Sequence, residues 1–218
     1  MNAQPSAVRF EDEEAWAELL ALFANCLGHP DDRLERALED GSLSADLDRL
    51  GNRLELDIEG PSLSESAGLT ESYEALFGAY RSPFAPPAAS PYKKWYEGRE
   101  GLMDGPPATR MEKRFEALQA DVPPSYPADH IALQLEYLSL LLEAGDLEEA
   151  RSFLANELDW IDAFEHLVDA AVASAPFHRW SVSALVTAID SLRSRLEVEP
   201  PEGERIERMK DRARTQIE

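Results

Sequence analysis

The sequence predicts an all-α fold, a single-domain multi-helix bundle arranged around one central buried helix at about residues 127–144. The first observation is the stretch that supplies that helix. Plotted at 100° per residue, Ile131, Leu135, Leu138 and Leu142 form one apolar stripe, and Leu133, Tyr137, Leu140, Leu141 and Ala144 form another on the opposite side. A helix that is apolar on both sides has to be covered on both sides. The second observation is the strong amphipathic periodicity of Glu11–Leu27, where Trp16, Leu19, Leu20, Phe23 and Leu27 share a face. The third is negative: the chain has no alternating Val/Ile/Thr run and no Asn-Gly hairpin signal.

The elements follow in order. Acidic residues enrich the first turn of the Glu11–Leu27 helix, where they suit the helix dipole, and Gly28 is its stop. Pro30, Asp31 and Asp32 restart a short helix through Leu38, and Gly41-Ser42 interrupts before a helix from Ser44 to about Leu56. Thr70 is placed to cap a helix that carries Tyr73, Leu76, Phe77 and Tyr80 on one face. Residues 81–107 hold Pro83, Pro86, Pro87, Pro91, Pro106 and Pro107, which a regular helix excludes. Phe84, Tyr92, Trp95 and Tyr96 give the same stretch too much aromatic surface for a free linker. It reads as a long ordered loop laid over the helical core, a kind of loop that is often functional. Thr109–Ala120 is helical, with Met111, Phe115 and Leu118 inward.

Pro127 fits the first position of the central helix, and a wedge with Asp129, Glu136, Ser139 and Glu143 separates the two stripes. Gly145-Asp146 joins it to a helix through Leu154, with an irregularity near Asn156–Asp159. The pattern resumes with Trp160, Ile161, Phe164, Leu167 and Val168, and Phe177–Leu196 is the last core helix. The helical domain spans 1–198, and residues 199–218 read as a charged tail, a frayed helix or disordered segment.

Composition excludes several functions. The net charge of -22 argues against binding a phosphate backbone, and so against nucleic acid. Lysines are few against many carboxylates. That balance fits a protein soluble at high salt, an ordinary acidic cytosolic protein, or a lure for a cationic partner. The single cysteine, Cys26, rules out an internal disulfide, and the four scattered histidines show no metal-ligand spacing. No metal or cofactor is expected. The N-terminal residues show no signal-peptide pattern, and no apolar run reaches the ~18–20 residues of a membrane span. The expectation is a soluble, cytoplasmic protein. Catalytic signatures are missing: there is no nucleophile elbow, phosphate loop, zinc-protease helix or dinucleotide fingerprint. A non-enzyme is expected.

Asp129-His130 is the one polar pair that stands out. By spacing alone, Asp129 is a helix-start acid and His130 a partly buried histidine satisfied by a carbonyl; Tyr73, Phe77 and Tyr80 read as core.

Three blocks together carry a resemblance over about residues 70–190. Tyr73-Glu-Ala-Leu76-Phe77-Gly78 is followed by a proline-rich loop ending in Pro91-Tyr92. Tyr126-Pro-Ala-Asp129-His130-Ile131 opens the central helix, and Phe153-Leu154 leads through Trp160, Phe164 and Val168 to Pro176-Phe177. In this order the blocks resemble the TorD/DmsD/NarJ family of redox-enzyme maturation chaperones. The resemblance implies a cytoplasmic chaperone that binds the twin-arginine leader of a molybdenum-cofactor (molybdopterin) oxidoreductase. Such a chaperone assists cofactor insertion into the catalytic subunit and delays export. It also implies peptide contacts at Tyr73, Leu76, Phe77, Asp129 and His130, to which the adjoining loops add Tyr92 and Tyr126, and the acidic wedge adds Glu136. A leader offers two arginines and an apolar run, so carboxylates would set register while an apolar groove carries affinity. A helical scaffold or regulatory subunit that binds a cytosolic partner without reading a leader is the alternative. A monomer and a helix-exchanged dimer both fit the pattern.

Overall fold

The computed structural model of the chain describes residues 12–61, 68–78, 83–95, 101–171 and 173–217. They form ten helices: α1 (Glu13–Leu27), α2 (Asp32–Glu39), α3 (Ser42–Leu54), α4 (Leu69–Phe77), α5 (Pro106–Ala117), α6 (Ile131–Glu143), α7 (Leu147–Asn156), α8 (Ile161–Ala170), α9 (Pro176–Arg195) and α10 (Gly203–Ile217). Among the described residues there is no strand, only an isolated bridge between Ala88 and His130. The fold is all-α.

Helices α1 and α6 form the axis of the bundle and make its most extensive pairing. Trp16, Leu19, Leu20, Phe23 and Leu27 of α1 are fully buried, each worth ~1.5–3 kcal/mol of apolar burial. On α6 both predicted stripes are covered: Ile131, Leu135, Leu138 and Leu142 on one side, and Leu133, Tyr137 and Leu141 on the other. Leu140, at 46% exposed, and Ala144, exposed where the helix ends, are the exceptions. Ser139 lies in the contact, donating from Oγ to the Ala17 carbonyl at 2.9 Å. Buried Gln134 accepts from Trp160 Nε1 at 3.0 Å, which ties α6 to the residue that opens α8. Helices α3 and α9 pack on α1, α7 on α6, α4 and α8 on α9, and α2 on α3. The buried apolar side chains join in one core that draws on all ten helices.

Several boundaries differ from the sequence reading. The central helix starts at Ile131, not Pro127, with His130 as its N-cap in an extended conformation (φ -61, ψ 141). The cause is the proline-rich loop. Ala89 N–H donates to the Asp129 carbonyl at 3.1 Å and Ile131 N–H to the Pro87 carbonyl at 2.8 Å. This short pairing holds residues 129–131 extended, and Pro127 instead accepts from His130 N–H in a turn. Helix α4 is capped by Gly68 in the left-handed region (φ 70), so Thr70 lies inside the helix. Helix α5 begins at Pro106, a residue whose missing N–H suits a first turn.

The C-terminal residues are the largest departure. Instead of a frayed or disordered tail, 203–217 form α10, which packs on α8 through Met209, Ala213 and Ile217 at four-residue spacing. Arg212 donates to the Tyr92 carbonyl at 2.8 Å, and Arg205 pairs with buried Asp159. Long arginines that reach inward let so polar a helix dock with only a narrow apolar seam.

Residues 83–95 are ordered over the core. Ala85 N–H bonds the Leu76 carbonyl at 2.8 Å, and Trp95 Nε1 donates to the Ser90 carbonyl at 2.9 Å. Gly105 lies so close to the Trp95 indole that a Cβ there would collide with it. Tyr80, Tyr96 and Glu11 lie outside the described residues.

Candidate functional site

The blocks singled out in the sequence meet at one end of α6. The end of α4, the loop around residues 84–88 and the turn 125–130 enclose an open pocket of about 280 Å³. Its walls are Tyr73, Phe77, Phe84, Pro86, Pro87 and Tyr126, with Met103 at 60% exposure on the rim. The aromatic rings brace each other: Tyr73 stands edge-on to Phe77 at 5.0 Å, and Tyr126 lies 4.4 Å from the His130 ring. The cavity is overwhelmingly apolar, as sites for apolar ligands are.

His130 joins the pocket to the helix behind it. Its Nδ1 accepts from Ala132 N–H at 3.2 Å, capping α6, and its Nε2 lies 3.2 Å from Tyr73 Oη. Burial strips the ring of solvent, so the charged form is disfavoured and the pKa falls to about 3. The imidazole is neutral at physiological pH. Burial also raises the Tyr73 phenol above its usual range. The sequence reading had a carbonyl satisfying His130; the partners are a backbone N–H and a phenol.

Beyond Tyr126 lies a second cleft of about 380 Å³ between the end of α1, helices α2 and α3, and α6. His29 and Tyr126 line both spaces, and His29 N–H donates to Tyr126 Oη at 2.5 Å, so this pair forms the partition. The second cleft is mixed in character, with Asp31, Asp46 and Glu136 among its walls and Arg33 beside them. Partial desolvation raises the Glu136 carboxyl above its ordinary pKa. Among the described residues Glu136 has no cationic partner.

The predicted site residues therefore divide. Tyr73, Phe77, Tyr126 and His130 line the apolar pocket, and Glu136 lines the neighbouring cleft. Leu76 is fully buried behind them. Tyr92 is buried in the core, 4.9 Å from Trp160, with its hydroxyl donating to the Pro86 carbonyl at 3.0 Å. It braces the loop from within. Asp129 is also fully buried, and its Oδ2 accepts from both Ser90 N–H and Ser90 Oγ at 2.6 Å. Ser90 Oγ in turn accepts from Gly105 N–H at 3.0 Å. The carboxyl thus fastens the proline-rich loop to the start of α6, and burial raises its pKa despite those bonds.

Sequence reasoning missed His29, Phe84, Pro86, Pro87 and Met103. Phe84 beside two prolines was visible as an aromatic on a stiff loop, but nothing in its spacing showed which way the loop folds. His29 follows the helix stop at Gly28, and only the packing of α1 on α6 brings it to Tyr126.

A buried ionic cluster holds the far side of the loop. Glu157 receives Arg110 through two bonds of 2.7 and 2.8 Å, and Lys93 pairs with Asp159 at 2.6 Å. Burial opposes the charge on Glu157, but Arg110, Lys93 and Arg114 outweigh it and lower its pKa. No group of His, Cys, Asp and Glu among the described residues could hold a metal ion, and no helix there is long and apolar enough to cross a membrane.

Comparison with known proteins leads to the same place. Two curated proteins named Chaperone protein TorD are similar to this chain. The one from Vibrio parahaemolyticus serotype O3:K6 (strain RIMD 2210633) is 31% identical over 90 residues, 35% of this chain and 42% of that protein. The one from Vibrio vulnificus (strain YJ016) is 33% identical over 66 residues, 29% of this chain and 31% of that protein. The chain thus spans less than half the length of either relative. No solved structure gives a significant match. Residues 40–174, more than half of the chain and including most of the pocket's walls, match the family described as Nitrate reductase delta subunit. The chain therefore belongs to the nitrate reductase delta subunit family, the NarJ/TorD group that its own motifs resemble.

Proposed function

We propose that this protein is a maturation chaperone for a molybdenum-cofactor oxidoreductase and that its apolar pocket receives part of the enzyme's twin-arginine leader. The observation that carries the reading is the pocket itself. Its apolar walls come from the segments around Tyr73–Phe77, Phe84–Ala88 and Tyr126–His130, all inside the family match or the motif blocks. A leader's apolar run needs such a groove, and its arginines need carboxylates close by. The cleft across the Tyr126–His29 partition supplies Glu136 and Asp31. Asp129 is not available for that task, because Ser90 occupies it inside the fold. The chaperone acts on the cytoplasmic side, before export, and assists cofactor insertion while the leader is held.

Magnitudes assign the work. A micromolar complex needs about 8 kcal/mol. Leucine-sized side chains entering the pocket give ~1.5–3 kcal/mol each before ordering costs. An arginine on exposed Glu136 adds about 0.2–1 kcal/mol. Affinity therefore comes from the pocket, and the acids set register. Calorimetric titration with synthetic twin-arginine leaders from candidate client enzymes tests this. Micromolar binding, lost in Phe77→Asp and weakened only a few-fold in Glu136→Gln, is expected. Equal affinity for a client with and without its leader would overturn the reading in favour of a scaffold that binds a cytosolic partner.

A further inference from the structure

One polar hydrogen in the apolar pocket has no acceptor among the described residues. Ala132 N–H donates to His130 Nδ1. A ring nitrogen that accepts carries no proton, so the proton of the neutral ring sits on Nε2. Nε2–H is then the donor in the 3.2 Å contact with Tyr73, and the phenol oxygen is the acceptor. The phenol's own hydrogen must turn elsewhere. No acceptor for it exists among the described residues, although Tyr73 is only 8% exposed and lines the pocket. A donor held away from solvent without an acceptor is unfavourable, and a ligand that supplies one recovers that cost.

We propose that the pocket selects an apolar ligand that carries a hydrogen-bond acceptor, such as the backbone carbonyl of an apolar peptide segment, and that Tyr73 is the donor that reads it. The proposal rests on the peptide-binding reading above and deepens it. His130 is the positioning residue: by using Nδ1 to cap α6, it commits Nε2–H to Tyr73 and leaves the phenol no role but donor. Burial keeps the ring neutral, so the arrangement holds through physiological pH. An asparagine could also cap the helix, but its shorter amide would not reach Tyr73.

The test uses two small probes of matched shape, acetophenone and cumene, titrated into the full chain by NMR chemical-shift perturbation. They differ in the acceptor oxygen. After allowance for their water-to-hydrocarbon partition, the wild type should prefer acetophenone by about tenfold. Tyr73→Phe should abolish that preference while the pocket still takes up cumene. His130→Asn should lose part of it, and should cost nothing more when added to Tyr73→Phe. Imidazole nitrogen shifts should report the proton on Nε2. A preference that survives Tyr73→Phe, a wild type that treats both probes alike or binds neither, or a protonated Nδ1 would each overturn the proposal. Because the probes are not peptides, the result is separable from the leader titration. Leaders that bind a protein without ketone preference would sink this inference alone. Ketone preference in a protein indifferent to leaders would sink only the leader reading.

Discussion

Asp129→Ala is the substitution whose outcome separates a buried fastener from a ligand contact. Asp129 Oδ2 takes two hydrogen bonds from Ser90, both at 2.6 Å, in a fully buried position. Hydrogen bonds to a charged group contribute about 1.5–3 kcal/mol each, so losing the pair costs roughly 3–6 kcal/mol. Part of this is returned. Oδ1 has no partner in the fold, and burial already raises the carboxyl's pKa, so removing it relieves about 1–3 kcal/mol of desolvation. The net loss is about 2–3 kcal/mol, taking matching ends of the two ranges. With a urea slope of ~2 kcal/mol per M, the unfolding midpoint should fall by about 1–1.5 M. Ser90→Ala keeps the Ser90 N–H bond but removes both the hydroxyl's bond to Asp129 and its acceptance from Gly105 N–H, and because the two residues share a bond the double variant should show a loss well short of the sum. Leader affinity, measured where each variant is still folded, should fall only as far as the loosened loop disturbs the pocket. An unchanged urea midpoint together with abolished leader binding would refute this reasoning and restore Asp129 as a direct contact.

Other expectations concern the remaining buried groups. Burial lowers His130 to about 3 and His178 to about 4, while the unfolded chain takes up these protons near 6.5. Their contribution is therefore complete above pH 6.5 and is lost as pH falls, at about 1.4 kcal/mol per pH unit for each histidine. Urea midpoints measured between pH 6.5 and 5 should show that slope, and a flat profile would mean the rings are not buried neutral. Glu157 is lowered, so its stabilisation is present above the unfolded value of 4.5 and fades as pH falls below it. Glu157→Gln should cost about 2 kcal/mol at pH 7, with Arg110 partly exposed, and the gap to wild type should close in acid. Met209→Ala should cost ~2–3 kcal/mol and speed amide exchange throughout 203–217. Exchange there already at the free-helix rate in the wild type would show that α10 is not docked.

The sequence made some of this legible and hid the rest for identifiable reasons. The double apolar surface of Ile131–Leu142 and the amphipathic face of α1 are periodic signals, and such signals report burial directly. Both faces are covered in the fold, apart from Leu140. Long-range pairing leaves no comparable trace. Ala89 N–H bonds the Asp129 carbonyl and Ile131 N–H the Pro87 carbonyl, which delays α6 and turns the Asp129 carboxyl inward, yet nothing in the sequence marks these residues as partners. Aromatics behave the same way. Tyr73 faces a pocket and Tyr92 faces Trp160, and nothing in their residue type separates the two. Helix α10 escaped notice because its apolar seam is narrow and its arginines reach partners more than 45 residues away, Asp159 from Arg205 and the Tyr92 carbonyl from Arg212.

The pairing of α1 with α6 has a consequence for how the protein is made. The bond from Ser139 to Ala17 closes a separation of 122 residues. At ~5–20 residues per second, a ribosome needs about 6–25 s to deliver that intervening stretch. Throughout the interval Trp16, Leu19, Leu20 and Phe23 have emerged without their native cover. Nascent chains halted before Glu143 should therefore be sticky and sensitive to proteases, and release past that point should trigger compaction, late and slow as non-local topologies are.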